Sequence, residues 1–252
     1  MESPKTSLSR ARPGERGNML FMILIAVVLI GVLTAVIMNA SHNEGATIDN
    51  ETLAIRASEA QRYASEVERA VLFIIHNGKS ESDIRFAYPD APSDYGDLAA
   101  DADKTREVFD PAGGGAAYKA PPEGVNDGSP WEFYGGTALP SVGSDHADLV
   151  AVLPNVNKTF CDKINQLDGQ PSTPPEDSGG GQAAGASPGS CINLGSGGRF
   201  NDTHQFYDAP NTADALSFSQ DPQTSAPRPA LEACVHCAAD NQYHFYHVLM
   251  AR

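Results

Sequence analysis

Hydrophobic residues are spread along this chain in three distinct patterns. The first is an unbroken run, Met19–Met38 (MLFMILIAVVLIGVLTAVIM), twenty residues without a charge. At about 1.5 Å per residue a helix of that length spans about 30 Å, the thickness of a bilayer's hydrocarbon core. The run therefore predicts a transmembrane helix over 18–39. A buried helix of a soluble domain normally keeps some polar positions. An ordinary cleaved signal has a shorter apolar region and a small-x-small site, whereas Met38-Asn39-Ala40 puts a large residue first.

The second pattern is periodic. After a polar stretch from Asn39 to Thr47 (NASHNEGAT), expected to break the helix, Asp49 or Asn50 can cap a new one. Leu53, Ala57, Ala60, Ala64, Val67, Val71 and Ile74 then recur at alternating four-and-three spacing, a narrow apolar stripe on one helix face. His76-Asn77-Gly78 supplies the stop, with Asn77 or Gly78 suited to a left-handed cap. Three consecutive stripe positions are alanine, so whatever packs there comes close.

The third pattern is short and broken. Ile84–Tyr88, Ala116–Ala120, Pro130–Tyr134, Leu149–Leu153 and Tyr243–Leu249 read as strands, and Thr159–Leu167 as a short helix. Residues 89–104 are acidic and loop-like, and 169–190 are a low-complexity loop with little to bury. These pieces predict an α+β fold: an N-terminal transmembrane helix, then an amphipathic helix packed on a small antiparallel sheet with long loops.

Charge sets the orientation. Lys5, Arg10, Arg12 and Arg16 precede the apolar run, while Arg56 is the only Lys or Arg in the twenty residues that follow it. Positive charge stays on the cytoplasmic side. The chain is thus expected to be single-pass, with 1–17 a basic cytoplasmic leader, 40–78 a linker and amphipathic helix, and 79–252 an exported head. Overall, 17 basic residues face 32 acidic ones, for a net charge of −15. So acidic a chain, with no basic patch in its exported part, is not expected to bind nucleic acid.

Four cysteines, Cys161, Cys191, Cys234 and Cys237, all fall on the exported side, where two disulfides are expected. Spacing does not choose among the three possible pairings. The working expectation is Cys161–Cys191, closing the 169–190 loop, with Cys234–Cys237. The latter also matches the bare CxxC of thiol oxidoreductases, but Ala226–Glu232 is not the strand that such a motif needs before it. Zinc on Cys234, Cys237 and two of His236, His244 and His247 is disfavoured, because His244 and His247 would leave a strand on opposite faces. Asp101/Asp103 and Asp145/Asp148 could bind calcium, but no loop approaches a calcium-binding consensus, so a solvated acidic surface is expected. GxSxG, P-loop, dinucleotide-binding and HExxH motifs are absent. No catalytic residue, metal or cofactor is assigned, and an enzyme is not expected.

The stretch Arg16-Gly17-Asn18-Met19-Leu20-Phe21-Met22, lying between a basic leader and an apolar run, resembles the processing site of type IV pilin-like proteins. These are the prepilins and pseudopilins of bacterial pili and type II secretion. The resemblance implies a leader peptidase that cuts after Gly17 at the cytoplasmic face, then methylation of Asn18. It also implies assembly with other pilin-like subunits through the N-terminal helix, anchored in the bacterial inner membrane. The head would lie in the periplasm or in an extracellular filament. Asn18 stands where the family usually has an aromatic or Met, and Met22 where it usually has Glu. Loss of that Glu fits a minor pilin or pseudopilin. The alternatives are a membrane-anchored periplasmic binding module and, behind it, a CxxC thiol oxidoreductase.

Overall fold

The computed structural model describes residues 16–171, 173–179, 191–206, 211–212 and 230–252, with backbone alone at 16–20, 31–49 and 211–212. The elements in chain order are α1 (Arg16–His76), β1 (Glu132–Ala138), β2 (Asp148–Val156), α2 (Lys158–Leu167), β3 (Glu176–Asp177), β4 (Asn211–Thr212), β5 (Glu232–Cys237) and β6 (Gln242–Met250). The chain divides into two compact units, Met1–Thr52 and Leu53–Arg252.

In the first unit the helical backbone of α1 continues through 39–47, where the sequence predicts a polar break and linker. Asn, Ser and His each disfavour helix by well under about 1 kcal/mol and Gly45 by about 1 kcal/mol, too little to interrupt a helix already propagating from both sides. Nine large apolar side chains between Phe21 and Ile30 are 38–64% exposed. Among the described residues, which include side chains for only 21–30 of the Met19–Met38 run, no helix is long and apolar enough to cross a membrane. Most of the leader, residues 1–15, lies outside the described residues.

The second unit is an α+β domain. Its sheet runs in the order β3-β5-β6-β2-β1-β4, with β1, β2, β6 and β5 antiparallel and the two-residue β3 and β4 added in parallel at the edges. The stripe on α1 seats against this sheet: Ala57, Ala60, Ala64, Val67, Val71 and Ile74 are buried, and Leu53 packs half-buried at the end. They share one core with Phe133, Leu149, Ala151, Leu153 and Phe245 from the sheet and Phe160 and Ile164 from α2. The helix ends as predicted. Gly78 takes φ +87°, its N–H reaches Ile75 O at 2.9 Å, and Lys79 N–H reaches Ile74 O at 3.4 Å, so two terminal carbonyls are satisfied.

The opposite sheet face is also covered. Tyr134, Val150, Val152, Ala233, Val235, Tyr246 and Val248 bury there under Leu139, Val142, Ile192 and Leu194 from loops. With apolar residues required on both faces, β2 reads as the continuous run LVAVL rather than as an alternation. β2 breaks register between Leu153 and Val156, where Pro154 has no N–H to give the ladder and Asn155 sits at φ +55°. His244 of β6 closes the bulge, its Nδ1 accepting from Asn155 N–H at 3.3 Å.

Two expected strands are absent. Ile84–Tyr88 is buried but joins only an isolated bridge, Arg85 to Glu107, and Ala116–Ala120 joins no strand ladder. The first lies beside a loop instead of a strand, exchanging Arg85 N–H to Arg106 O (3.0 Å) and Val108 N–H to Arg85 O (2.9 Å). Conversely, β5 occupies a stretch that carried no strand expectation. At Cys234, beyond the reach of β3, α2 seals the outer edge of β5: Asn165 Nδ2 donates to Cys234 O (2.9 Å) while its Oδ1 accepts from Cys234 N–H (2.8 Å).

Candidate functional site

The four cysteines form two disulfides, Cys161–Cys234 and Cys191–Cys237, and not the expected Cys161–Cys191 and Cys234–Cys237. The reason is strand geometry. Cys234 and Cys237 lie on β5 three residues apart, so their side chains leave opposite faces and their Cα atoms are about 10 Å apart, beyond the reach of one disulfide. Cys234 therefore meets Cys161 of α2 on the helix side, and Cys237 meets Cys191 on the other. With no free cysteine, the geometry behind the thiol-oxidoreductase and zinc readings is gone. Cys237, Asp240 and His244 place ligand-type atoms within 4.8 Å, but the Cys237 sulfur is bonded to Cys191 and offers no thiolate.

Three members of the acidic pairs Asp101/Asp103 and Asp145/Asp148 have protein partners, and Asp145 is exposed. Asp101 meets Arg106 at 2.9 Å and Asp103 meets Lys79 at 2.7 Å. Asp148 departs from the expected solvated surface: it is fully buried and accepts from Leu139 N–H and Arg252 N–H, both at 3.0 Å, tying the C-terminus to β2. Gly17 and Asn18 fall within the helical backbone of α1, where nothing of their side chains is described.

The structure assembles three charged groups that have no local sequence signature. The first fixes the loop 191–206 to β1. Arg199 binds Glu132 bidentately (Nε to Oε2, 2.7 Å; Nη2 to Oε1, 2.9 Å) and reaches Asp94 at 2.7 Å. Tyr95 adds its hydroxyl to Glu132 Oε2 at 2.9 Å and accepts from Phe133 N–H at 2.9 Å.

The second gathers around Glu107. This buried side chain accepts from Ala87 N–H at 3.1 Å and faces Asp101, and burial followed by the Asp101 contact pushes its pKa up to about 8. Burial would raise Asp101 too, but Arg106 and the Asp103 N–H outweigh it and hold that carboxylate below its ordinary range. The ion pair of Arg85 with Asp202 completes the group. Together they line a cleft of about 410 Å³, which shares Gly96 and Asp97 with a larger one of about 660 Å³ lined by Tyr88, Asp90, Leu98, Lys104 and Asp110.

The third group joins α1, α2, β5 and β6. His247 directs Nδ1 to Glu232 Oε2 (2.9 Å) and Nε2 to Glu68 Oε2 (3.0 Å). Gln61 donates to Asp168 Oδ1 (2.7 Å) and to Glu232 Oε1 (3.1 Å). Burial, then the Glu232 charge, pushes Asp168 up to about 7. Burial opposes charge on His247, yet its hydrogen bonds to Glu232 and Glu68 prevail and hold its pKa above the ordinary histidine value.

Comparison of the chain with protein families, with curated proteins and with solved structures found no match. The geometry defines an α+β helix-on-sheet domain cross-linked by two disulfides.

Proposed function

We propose that this protein is a pilin-like subunit, a minor pilin or pseudopilin, of a cell-envelope filament or secretion system. The observation that carries the reading is the division of labour along α1. Its stripe from Ala57 to Ile74 is buried on an antiparallel sheet, while Phe21–Ile30 exposes nearly every large apolar side chain. Such a surface calls for lipid or for the helices of other subunits. Gly17 is the residue before the cut and Asn18 the first mature residue. Met19–Met38 anchors the chain in the inner membrane with its N-terminus cytoplasmic. Two disulfides in the head suit an oxidising compartment, the periplasm or an extracellular filament.

In this reading the protein has a structural role and meets a leader peptidase, the lipid bilayer and other pilin-like subunits. A membrane-anchored binding module is the second reading, favoured by the cleft of about 660 Å³ beside Tyr88 and Lys104. Co-expression with a prepilin peptidase separates the two. Wild-type chain should shorten at Gly17 and Gly17→Phe should stay full length. Equal masses for the two proteins would sink the pilin-like reading.

A further inference from the structure

We propose that Glu68, His247, Glu232 and Asp168 form a proton-operated clamp that seats α1 on the sheet in acidic and neutral surroundings and loosens it in alkaline ones. The argument starts from hydrogen-bond accounting. Both ring nitrogens of His247 face carboxylate oxygens, at 2.9 and 3.0 Å, and carboxylates only accept. Two donors on one imidazole mean an imidazolium, so His247 ties α1 to β5 as a bridging cation. Its side chain is 8% exposed, which strengthens each contact relative to water.

A second proton is called for at Asp168. Its Oδ1 takes the Gln61 amide, but its Oδ2 is buried and, as a carboxylate oxygen, has no hydrogen-bond donor. Gln61 donates to Asp168 and Glu232 together, which brings the two carboxyls side by side. One proton between them turns a repulsive pair into a carboxyl–carboxylate hydrogen bond and satisfies Oδ2.

The groups facing this centre are Gln61 and Glu68 from α1, Asp168 from the end of α2, Glu232 from β5 and His247 from β6. Among the described residues no lysine or arginine ion pair reaches any of the three carboxyls. The two protons are therefore the only positive charge the cluster has. Both shifts run the same way. Asp168, raised to about 7, loses its proton as pH climbs through that value, and His247, its pKa raised by its bonds to Glu232 and Glu68, likewise loses its charge as pH climbs. Above both, three carboxylates surround a neutral ring and Gln61 with nothing to offset their repulsion. The contacts of the clamp stand on geometry, whereas its exposure to ambient pH rests on the exported placement proposed above.

The test uses the full-length protein in detergent micelles. Carboxyl carbon shifts of isotopically labelled aspartates should show Asp168 titrating near 7, a measurement that needs no variant. Hydrogen exchange in the α1 segment 61–74, corrected for the intrinsic rate, should lose about tenfold in protection between pH 6 and 9. Asp168→Asn, whose amide can donate to Glu232 without a titrating proton, should cut that loss to under about twofold. An Asp168 midpoint near 4, or equal losses in the variant and the wild type, would overturn the proposal. Leader cleavage is read separately, so failure of the clamp and failure of the pilin-like reading are distinguishable.

Discussion

Replacing Arg199 by Met tests what holds the loop 191–206 to the sheet. Glu132 begins β1 with a side chain 8% exposed, and Arg199 gives it two parallel charge-assisted hydrogen bonds at 2.7 and 2.9 Å. In Arg199→Met the carboxylate keeps only the Tyr95 hydroxyl at 2.9 Å, which cannot balance its charge. Breaking a buried pair by removing one partner costs about 3–5 kcal/mol. Arg199 is 17% exposed, so the lower end, about 3 kcal/mol, applies here. That is a large share of a domain stability of about 5–15 kcal/mol.

Urea unfolding of the solubilised chain measures this cost. A double-mutant cycle with Glu132→Gln isolates the pair, since Gln keeps the Tyr95 bond and removes the stranded charge. Arg199→Met/Glu132→Gln should be more stable than Arg199→Met by about 1–2 kcal/mol. The loop supplies a local readout, because Phe200 N–H donates to Phe133 O at 2.8 Å and should lose exchange protection in Arg199→Met. A loss below about 1 kcal/mol, or strict additivity in the cycle, would refute the reasoning.

Four further outcomes follow from the packing and the charges. Peptide mapping under non-reducing conditions should recover Cys161–Cys234 and Cys191–Cys237; a Cys161–Cys191 peptide would overturn the topology. Replacing Cys161 and Cys234 by Ala releases a 73-residue separation and should reduce stability by about 4 kcal/mol on the loop-entropy model. Ala64→Leu should cost at least about 1–3 kcal/mol by forcing α1 off the sheet, whereas the exposed Arg69→Ala should stay within about 0.5 kcal/mol. Glu107→Gln tests the carboxyl whose pKa stands at about 8. An acid raised in the folded state loses stability as pH climbs from its unfolded value through its folded one. Thermal melts should therefore find Glu107→Gln close to wild type at pH 5 and more stable at pH 9. Parallel curves would contradict the assignment.

The elements legible in the sequence are those with a strong local period or a bounded apolar run. The α1 stripe was readable because every third or fourth residue from Leu53 to Ile74 is apolar or small, and its stop because Asn77-Gly78 has one common use. β2, α2 and β6 were readable for similar reasons. Ile84–Tyr88 carried a strand-like alternation, yet its backbone partner is a loop, and alternation reports burial rather than pairing. β5 was hidden because Glu232–Cys237 is short, has polar residues at Glu232 and His236, and holds only Ala233 and Val235 besides its two cysteines. Without β5, the opposed directions of Cys234 and Cys237 could not be seen, and the wrong cysteine pairing follows. The clamp lay deeper still, since its contacts join residues 107, 171 and 179 positions apart, and its members look singly like ordinary surface acids.

The pilin-like reading turns on the N-terminus, and the mass of that terminus in protein purified from its native membranes tests it most directly. A chain beginning at methylated Asn18 is the predicted result, and it would direct further work to the subunits that meet α1. A chain beginning at Met1 would contradict the account, leaving an apolar helix with a disulfide-linked head whose role lies in the head itself.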